Sequence, residues 1–241
     1  MKYHTIMVEL TTKCNMRCIY CEVSHPHWKP RDMSNLCIQK IIDFVKRNGV
    51  HYVCLHGHGE MTVVPDWHKI ADRFLSAGAK LTTCTNLNKT FSTEEIQTLA
   101  KFASITISLD AIDVELFRAL RRGGDIRNLL YNMAMIQTAA NQKENEIYWI
   151  WDVVVCNKNI HELLNICKLA VTFNVKTITF CNLVKLSPPI PSSAGLLHPR
   201  EMSPHDIYEA ISQVRKCRDY CDSNGVQLIC SSILESLGQD A

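Results

Sequence analysis

Short β-branched runs alternate with longer stretches of helical spacing along this chain, and that alternation restricts the fold more than any other feature. Strands are predicted over residues 5–10, 52–56, 80–85, 104–110, 147–155 and 176–181. A helix-like stretch follows most of them, the signature of a parallel sheet covered by crossover helices. The helix punctuation agrees with the count. Ser34 is placed to cap a helix that runs to Arg47 and stops at Gly49. A second helix spans 65–77 before Gly78, and Ser92 with Glu95 reads as a capping box for a third that ends near Lys101. Helical segments over 114–120 and 125–140 are interrupted by Gly123-Gly124, and another covers 160–173. A proline-rich loop over 187–199 leads to a helix capped by Ser203 with Pro204 at its first position. That helix ends near Asn224-Gly225, and a short apolar run over 226–230 and a loose tail finish the chain. The organisation expected is a core over residues 1–200, with a C-terminal helix and short strand over 201–241 packing on it as one domain.

Composition narrows the classes. Hydrophobic residues make up 46% of the 241, enough for a core, and the net charge of +2 gives no electrostatic argument for nucleic acid or an anionic membrane. No apolar run is long enough to span a membrane, and the opening MKYHTIMVEL is not a secretory signal. Twelve cysteines without such a signal point to a reducing, cytoplasmic setting and to metal chemistry rather than disulfides.

Three of those cysteines stand together directly after the first predicted strand, in Thr11-Thr12-Lys13-Cys14-Asn15-Met16-Arg17-Cys18-Ile19-Tyr20-Cys21. A loop this short can bring three thiolates around one inorganic centre, and soft thiolates suit iron–sulfur clusters or zinc. Three ligands are one short of a closed site, which leaves a position open for an exogenous ligand. The C-x3-C-x2-C spacing, with an aromatic such as Tyr20 before the third cysteine, resembles the radical S-adenosylmethionine (radical SAM) superfamily. The resemblance implies a partial (βα)6 TIM-like barrel of parallel strands and a [4Fe-4S] cluster on Cys14, Cys18 and Cys21. It further implies that the open iron is chelated by S-adenosylmethionine (SAM). An electron from the reduced cluster, supplied by a donor such as flavodoxin or ferredoxin, then cleaves SAM to methionine and a 5'-deoxyadenosyl radical that abstracts hydrogen from substrate. A zinc-binding interaction module is the non-enzymatic alternative for the same cysteines.

Later motifs extend the resemblance over about residues 5–228. His56-Gly57-His58-Gly59-Glu60-Met61 ends the second strand where the family commonly has Gly-Gly-Glu-Pro, with His58 and Met61 as departures. Gly57 and Gly59 let backbone approach a ligand closely, and Glu60 can accept from the SAM amino group. Thr85-Asn86 ends the third strand, with Leu87 in place of the family's glycine; Asn86 faces SAM or substrate, or else caps the turn. Ile107-Ser108-Leu109-Asp110 matches the strand whose polar residues reach the ribose and methionine of SAM. Arg121-Arg122-Gly123-Gly124 is similar to a stretch of the subgroup with C-terminal SPASM or twitch domains. There Arg121, or its neighbour Arg122, pairs with the SAM carboxylate; a solvated basic turn is the alternative. Val154-Val155 followed by Asn159 resembles the same subgroup's Val-Val-x-x-x-Asn, and Asn182 falls where the family contacts adenine. No C-terminal auxiliary-cluster domain is evident. Cys217 and Cys221, four apart on a helix, and Cys230 are too few for a usual four-ligand cluster, and Cys54, Cys84 and Cys167 read as core.

Strand alternation gives the substrate side. Ile6, Val8 and Leu10 take the helix side of the first strand and turn Glu9 inward; on the others His56 and Asp152 turn inward, with Trp149 and Trp151 packing outward. A small polar metabolite (a sugar, nucleotide or amino-acid derivative) therefore fits, with Glu9, His56 and Asp152 binding it; a network among those three residues is the alternative. Peptide-modifying enzymes often carry an added recognition domain, and none precedes the barrel. Peptide modification and glycyl-radical activation remain alternative activities, and the reaction after hydrogen abstraction is open.

Overall fold

The computed structural model describes residues 4–184 and 195–238. Of the predicted proline-rich loop, residues 187–194 lie outside them. In chain order the elements are β1 (Thr5–Met7), β2 (Arg17–Cys18), α1 (Asn35–Asn48), β3 (Tyr52–Leu55), α2 (Trp67–Ser76), β4 (Lys80–Thr85), α3 (Thr93–Leu99), β5 (Ser104–Ser108), α4 (Val114–Leu120) and β6 (Arg121–Arg122). They continue as α5 (Ile126–Asn141), β7 (Tyr148–Val155), α6 (Leu163–Thr172), β8 (Thr177–Asn182), α7 (Pro204–Ser223), β9 (Gln227–Ile229) and α8 (Ser231–Ser236). Seven strands share one sheet in the order β1-β3-β4-β5-β7-β8-β9, while β2 and β6 form a separate antiparallel pair.

The chain divides into two compact units with interleaved segments. The first holds residues 1–15, 27–106 and 127–148; the second holds 16–26, 107–126 and 149–241. In the first unit β1 pairs in parallel with β3, and β3 with β4. Val53, Leu55 and Leu81 are buried while Cys54, Thr82 and Cys84 are half-buried, the period of two that a sheet covered on one face by helices produces. Cys54 and Cys84 thus sit on the opposite face and are not core, unlike the expectation. The punctuation holds. Ser34 accepts from the Cys37 N–H and Gly49 closes α1 in the left-handed region, and Ser92 and Glu95 form both bonds of the capping box. The second helix starts two residues later than predicted, because Asp66 takes a left-handed conformation (φ 55°) just before it.

The first strand is three residues long, not six. After Met7 only the Val8 N–H still bonds to Cys54. Beyond it Thr11 bridges Asp32 in antiparallel fashion, the Thr12 N–H donates to Arg31 O, and Leu10 O accepts from Met33 N–H. The segment at 31–33 therefore satisfies the backbone that a longer strand would have offered to the sheet.

In the second unit β7 pairs in parallel with β8, and β8 with β9. Trp149, Trp151, Val153 and Val155 are buried, with Asp152 and Val154 half-buried between them, as alternation predicted. The α6 helix begins at Leu163, after a 3-10 turn at Ile160–Glu162. Ser203 caps α7 through the Asp206 N–H, with Pro204 in its first turn. The short apolar run forms β9, paired with β8, and in place of a loose tail after it α8 buries Ile233 and Leu234. The other departure lies at the predicted glycine break, where Arg121 and Arg122 pair with Cys18 and Arg17 of the cysteine loop.

Candidate active site

Cys14 belongs to the first unit, and the backbone leading to it is held on several sides. The Glu60 N–H donates to Lys13 O at 2.8 Å. The Trp28 indole donates to Thr12 O at 3.0 Å and braces the cysteine loop at this point. Asp32 accepts from the Lys13 ammonium and, at 2.6 Å, from the Thr11 hydroxyl, and these bonds hold its carboxyl below the usual range. Gly59 presses against the carbonyls of Thr11 and Lys13; a Cβ there would overlap both. This is the close approach for which the motif needs glycine.

Glu60 is only 3% exposed. Its Oε1 accepts from the Thr62 N–H at 3.1 Å and from the Thr62 and Thr85 hydroxyls at 2.9 Å each, while Oε2 accepts from the Asn86 N–H at 2.8 Å. Four neutral donors satisfy the buried carboxylate, leaving one acceptor direction on Oε2. It thereby fixes the turn Thr85-Asn86-Leu87, in which Leu87 is left-handed (φ 48°) and its carbonyl accepts from Asn132 Nδ2 at 2.8 Å. The Asn86 amide donates to Asn15 Oδ1 at 2.9 Å and to Cys14 Sγ at 3.8 Å, and its Oδ1 accepts from the Asn88 N–H. Asn15 in turn donates to Asn88 O at 2.8 Å.

Glu9 does turn away from buried Val8 and Leu10, and it pairs with His58. Its Oε1 accepts from the His58 N–H and lies 3.6 Å from His58 Nδ1. A Cβ at Gly57 would overlap that carboxylate, so a side chain there would displace Glu9. The His58 ring stands 5.4 Å from the Trp28 ring. His56 is half-buried just past the end of β3. The pairing with His58 went unseen because His58 occupies a family glycine position and was read only as a departure.

Cys18 and Cys21 belong to the second unit. A 3-10 turn at Glu22–Ser24 follows them, and the Ser24 hydroxyl and the Cys21 N–H both donate to Cys18 O, at 2.8 and 3.1 Å. Both thiols are half-buried, and neither is in a disulfide. The β2–β6 pair sets Cys18 opposite Arg121, and the Ile19 N–H donates to Leu120 O at 2.9 Å. Asp110 is 0% exposed and Arg121 6%. Arg121 Nη2 donates to Asp110 Oδ1 at 3.1 Å, Nε lies 2.8 Å from Oδ2 in a close ion contact without hydrogen-bond alignment, and Nη1 donates to Cys18 Sγ at 3.9 Å. The Tyr20 hydroxyl donates to Asp110 Oδ2, and its ring centroid lies 5.8 Å from the guanidinium carbon. Burial drives the Tyr20 pKa well above its ordinary value, with Asp110 adding to the effect. Burial works against the Arg121 charge, but Asp110 outweighs it and holds the guanidinium charged. The Val154 N–H donates to Asp110 Oδ1 at 2.8 Å. Asn159, fully buried, donates to the carbonyls of Asp110 and Val154 at 2.9 Å each and accepts from the Cys156 N–H. The Val-Val-x-x-x-Asn pattern was the signal for that last residue.

Ser108 is half-buried at the end of β5, opposite in facing to Ile105 and Ile107. Asp152 stands across from Thr179 in the β7–β8 register; burial and then the Asp152 charge push the Cys181 thiol up to about 11. Asn182 donates to Ser232 O at 2.9 Å, while its buried Oδ1 has no partner among the described residues. Cys217 and Cys221 of α7 hydrogen-bond with buried Cys167 of α6; the bond to Cys217, aided by burial, pushes the Cys167 thiol upward against the lowering effect of Cys221, and the bond to Cys167 pushes the Cys221 thiol upward. Among the described residues no group of three or more His, Cys, Asp or Glu side chains is gathered to hold a single metal ion.

A mostly parallel α/β sheet, with a three-cysteine loop after its first strand and glycine, carboxylate and asparagine turns after the next two, defines an enzyme core built for a thiolate-held cofactor. The radical SAM superfamily model matches residues 8–170, and the chain belongs to that superfamily. It is 33% identical over 121 residues to mycofactocin maturase MftC of Mycobacterium tuberculosis (strain ATCC 25618 / H37Rv), covering 48% of this chain and 30% of the maturase. It is 29% identical over 150 residues to GTP 3',8-cyclase of Brucella abortus (strain S19), covering 56% and 41%. Among solved structures, Streptococcus suis SuiB bound to S-adenosylmethionine superposes with a TM-score of 0.71 at 15% identity over 94% of this chain and 49% of SuiB. SuiB bound to its precursor peptide SuiA gives 0.69 at the same identity, over 94% and 48%. The chain thus matches half or less of the length of each of these proteins. That structural likeness carries the fold, the partial barrel that the motifs implied. The superfamily's cofactors are a [4Fe-4S] cluster and SAM. The soft thiols held outside any disulfide, the N–H donors aimed at Cys14 and Cys18 sulfur, and the orphaned Asn182 acceptor fit them.

Proposed function

We propose that this chain cleaves SAM reductively on a [4Fe-4S] cluster held by Cys14, Cys18 and Cys21, and uses the resulting radical to abstract hydrogen from a small polar substrate. The observation that carries the reading is the cysteine loop itself: three thiols outside any disulfide at C-x3-C-x2-C inside the stretch that matches the superfamily. When bound, the cluster and SAM supply the electron transfer and the 5'-deoxyadenosyl radical. The chain's own residues bind and orient. Asn86 and Arg121 donate toward cysteine sulfurs. Glu60 holds the Thr85-Asn86 turn and keeps one acceptor direction for the SAM ammonium. Gly59 admits the close approach of the Thr11 and Lys13 carbonyls and Gly57 that of the Glu9 carboxylate, Ser108 offers a hydroxyl toward SAM, and Asn182 Oδ1 offers an acceptor for an amino group such as that of adenine. Tyr20 and Asp110 are committed to Arg121, so their contribution to SAM runs through that residue. The Glu9–His58 pair, His56 two residues before His58, and Asp152 are the substrate-side candidates. An external one-electron donor such as flavodoxin or ferredoxin is required.

A second reading, a peptide substrate, is favoured by one observation: two of the matches are a maturase and an enzyme solved with its precursor peptide. The cyclase match favours a small molecule. Anaerobic reconstitution, followed by incubation with SAM and dithionite, tests the shared core of both readings. 5'-Deoxyadenosine and methionine should form, and alanine at any one of the three cysteines should abolish them. Undiminished cleavage by the triple alanine variant would refute the assignment.

A further inference from the structure

Cys18 has a cation built beside it. A carboxylate with no exposure, such as Asp110, is stable only if paired, and Arg121 pairs with it through Nη2 and Nε. The remaining fork nitrogen, Nη1, donates to Cys18 Sγ. Two independent constraints fix the guanidinium there. The β2–β6 register sets the Arg121 backbone opposite Cys18, and the Tyr20 ring and hydroxyl close around the ion pair. An arginine cannot be deprotonated in this setting, so the charge is permanent.

We propose that Arg121 is a positioning residue that sets the reduction potential of the cluster through Cys18, with Asp110 holding it in place. A cationic N–H donor on a ligand sulfur stabilises the more negative, reduced centre and raises its potential. The Asp110 oxygens are occupied by Arg121, Tyr20 and the Val154 N–H, so it is the guanidinium that presents its donor to sulfur. This role differs from pairing with the SAM carboxylate, since it acts before SAM binds. It rests on the reading that Cys18 is a cluster ligand.

The test is an EPR-monitored redox titration of the reconstituted full chain without SAM. Arg121→Gln should disfavour reduction at least about tenfold, a fall of about 59 mV for a one-electron couple. Asp110→Asn, which leaves the cation unbalanced, should move the potential upward. Opposite signs are not expected from general loosening of the fold. An unchanged potential in both variants, with the cluster intact, would overturn the proposal. Protein that takes up no iron and sulfide at all would instead overturn the cluster assignment. Should neither variant fold, the unsubstituted enzyme decides. With 15N-guanidino arginine incorporated, pulsed EPR of the reduced cluster should show a 15N coupling, and its absence would reject the contact.

Discussion

A methyl group at position 59 has nowhere to go. The atoms it would meet are the backbone carbonyls of Thr11 and Lys13, not the end of a flexible side chain. Gly59→Ala should therefore displace the segment entering Cys14. Iron and sulfide content after reconstitution should fall, together with the melting temperature, and normal content with an unchanged melt would contradict this. Leu87 presents the opposite case. It adopts φ 48°, which costs a non-glycine residue about 1–2 kcal/mol, yet its side chain is 0% exposed. Burial of a leucine is worth about 2–5 kcal/mol against truncation, so packing outweighs the backbone strain. Leu87→Gly should lower stability in urea titrations even though glycine fits the turn better. A gain in stability would show that strain dominates.

At the scale of elements, α3 is tied into the site by its own capping box. Glu95 accepts from the Ser92 N–H, and its Oε1 also accepts from the Lys89 ammonium and the Trp67 indole at 2.6 Å each. Lys89 donates in addition to Thr62 O, beside the Glu60 turn. Burial alone would raise the Glu95 pKa, but Lys89, Ser92 and Trp67 outweigh it and hold the carboxyl below its ordinary value. Its stabilising contribution is thus complete above the unfolded pKa, about 4.3, and is lost as pH falls through the lower folded value. Glu95→Gln should flatten the acid limb of the stability–pH curve between about pH 5 and 3; an unaltered limb would count against the network. Ser92→Ala should cost about 1 kcal/mol through the lost cap.

At the scale of the molecule, the late cysteines bear on how many clusters the chain carries. Cys167, Cys217 and Cys221 are buried where α6 meets α7, with Cys217 and Cys221 each hydrogen-bonded to Cys167, which is the environment of inert core thiols. Reconstituted protein should hold about four irons. Cys217→Ala with Cys221→Ala should leave that number unchanged and cost stability, about 1 kcal/mol for each buried group removed. A fall in iron in that double variant would make those thiols ligands. The two units interleave in sequence, and the division falls between Asn15 and Met16, inside the cysteine loop.

Features that depend on neighbours a few residues apart were legible in the sequence. Ser34, Ser92 and Ser203 cap helices through N–H groups three residues on, and Gly49 closes a helix one position past its end, so residue type and spacing suffice. The burial of Trp149 and Trp151 with Asp152 between them follows from the two-residue period of a strand. The cysteine loop is fixed by covalent spacing. What the sequence left open was the choice of partner across distance. Asp110 and Arg121 read as two ligands for SAM, and only the fold shows that they satisfy each other, with Tyr20 arriving from 90 residues away. Glu9 found His58, and two arginines in an expected break became a strand against Cys18. Buried charges and unpaired backbone groups must each find a partner, and which one they find is decided by the chain's path in three dimensions.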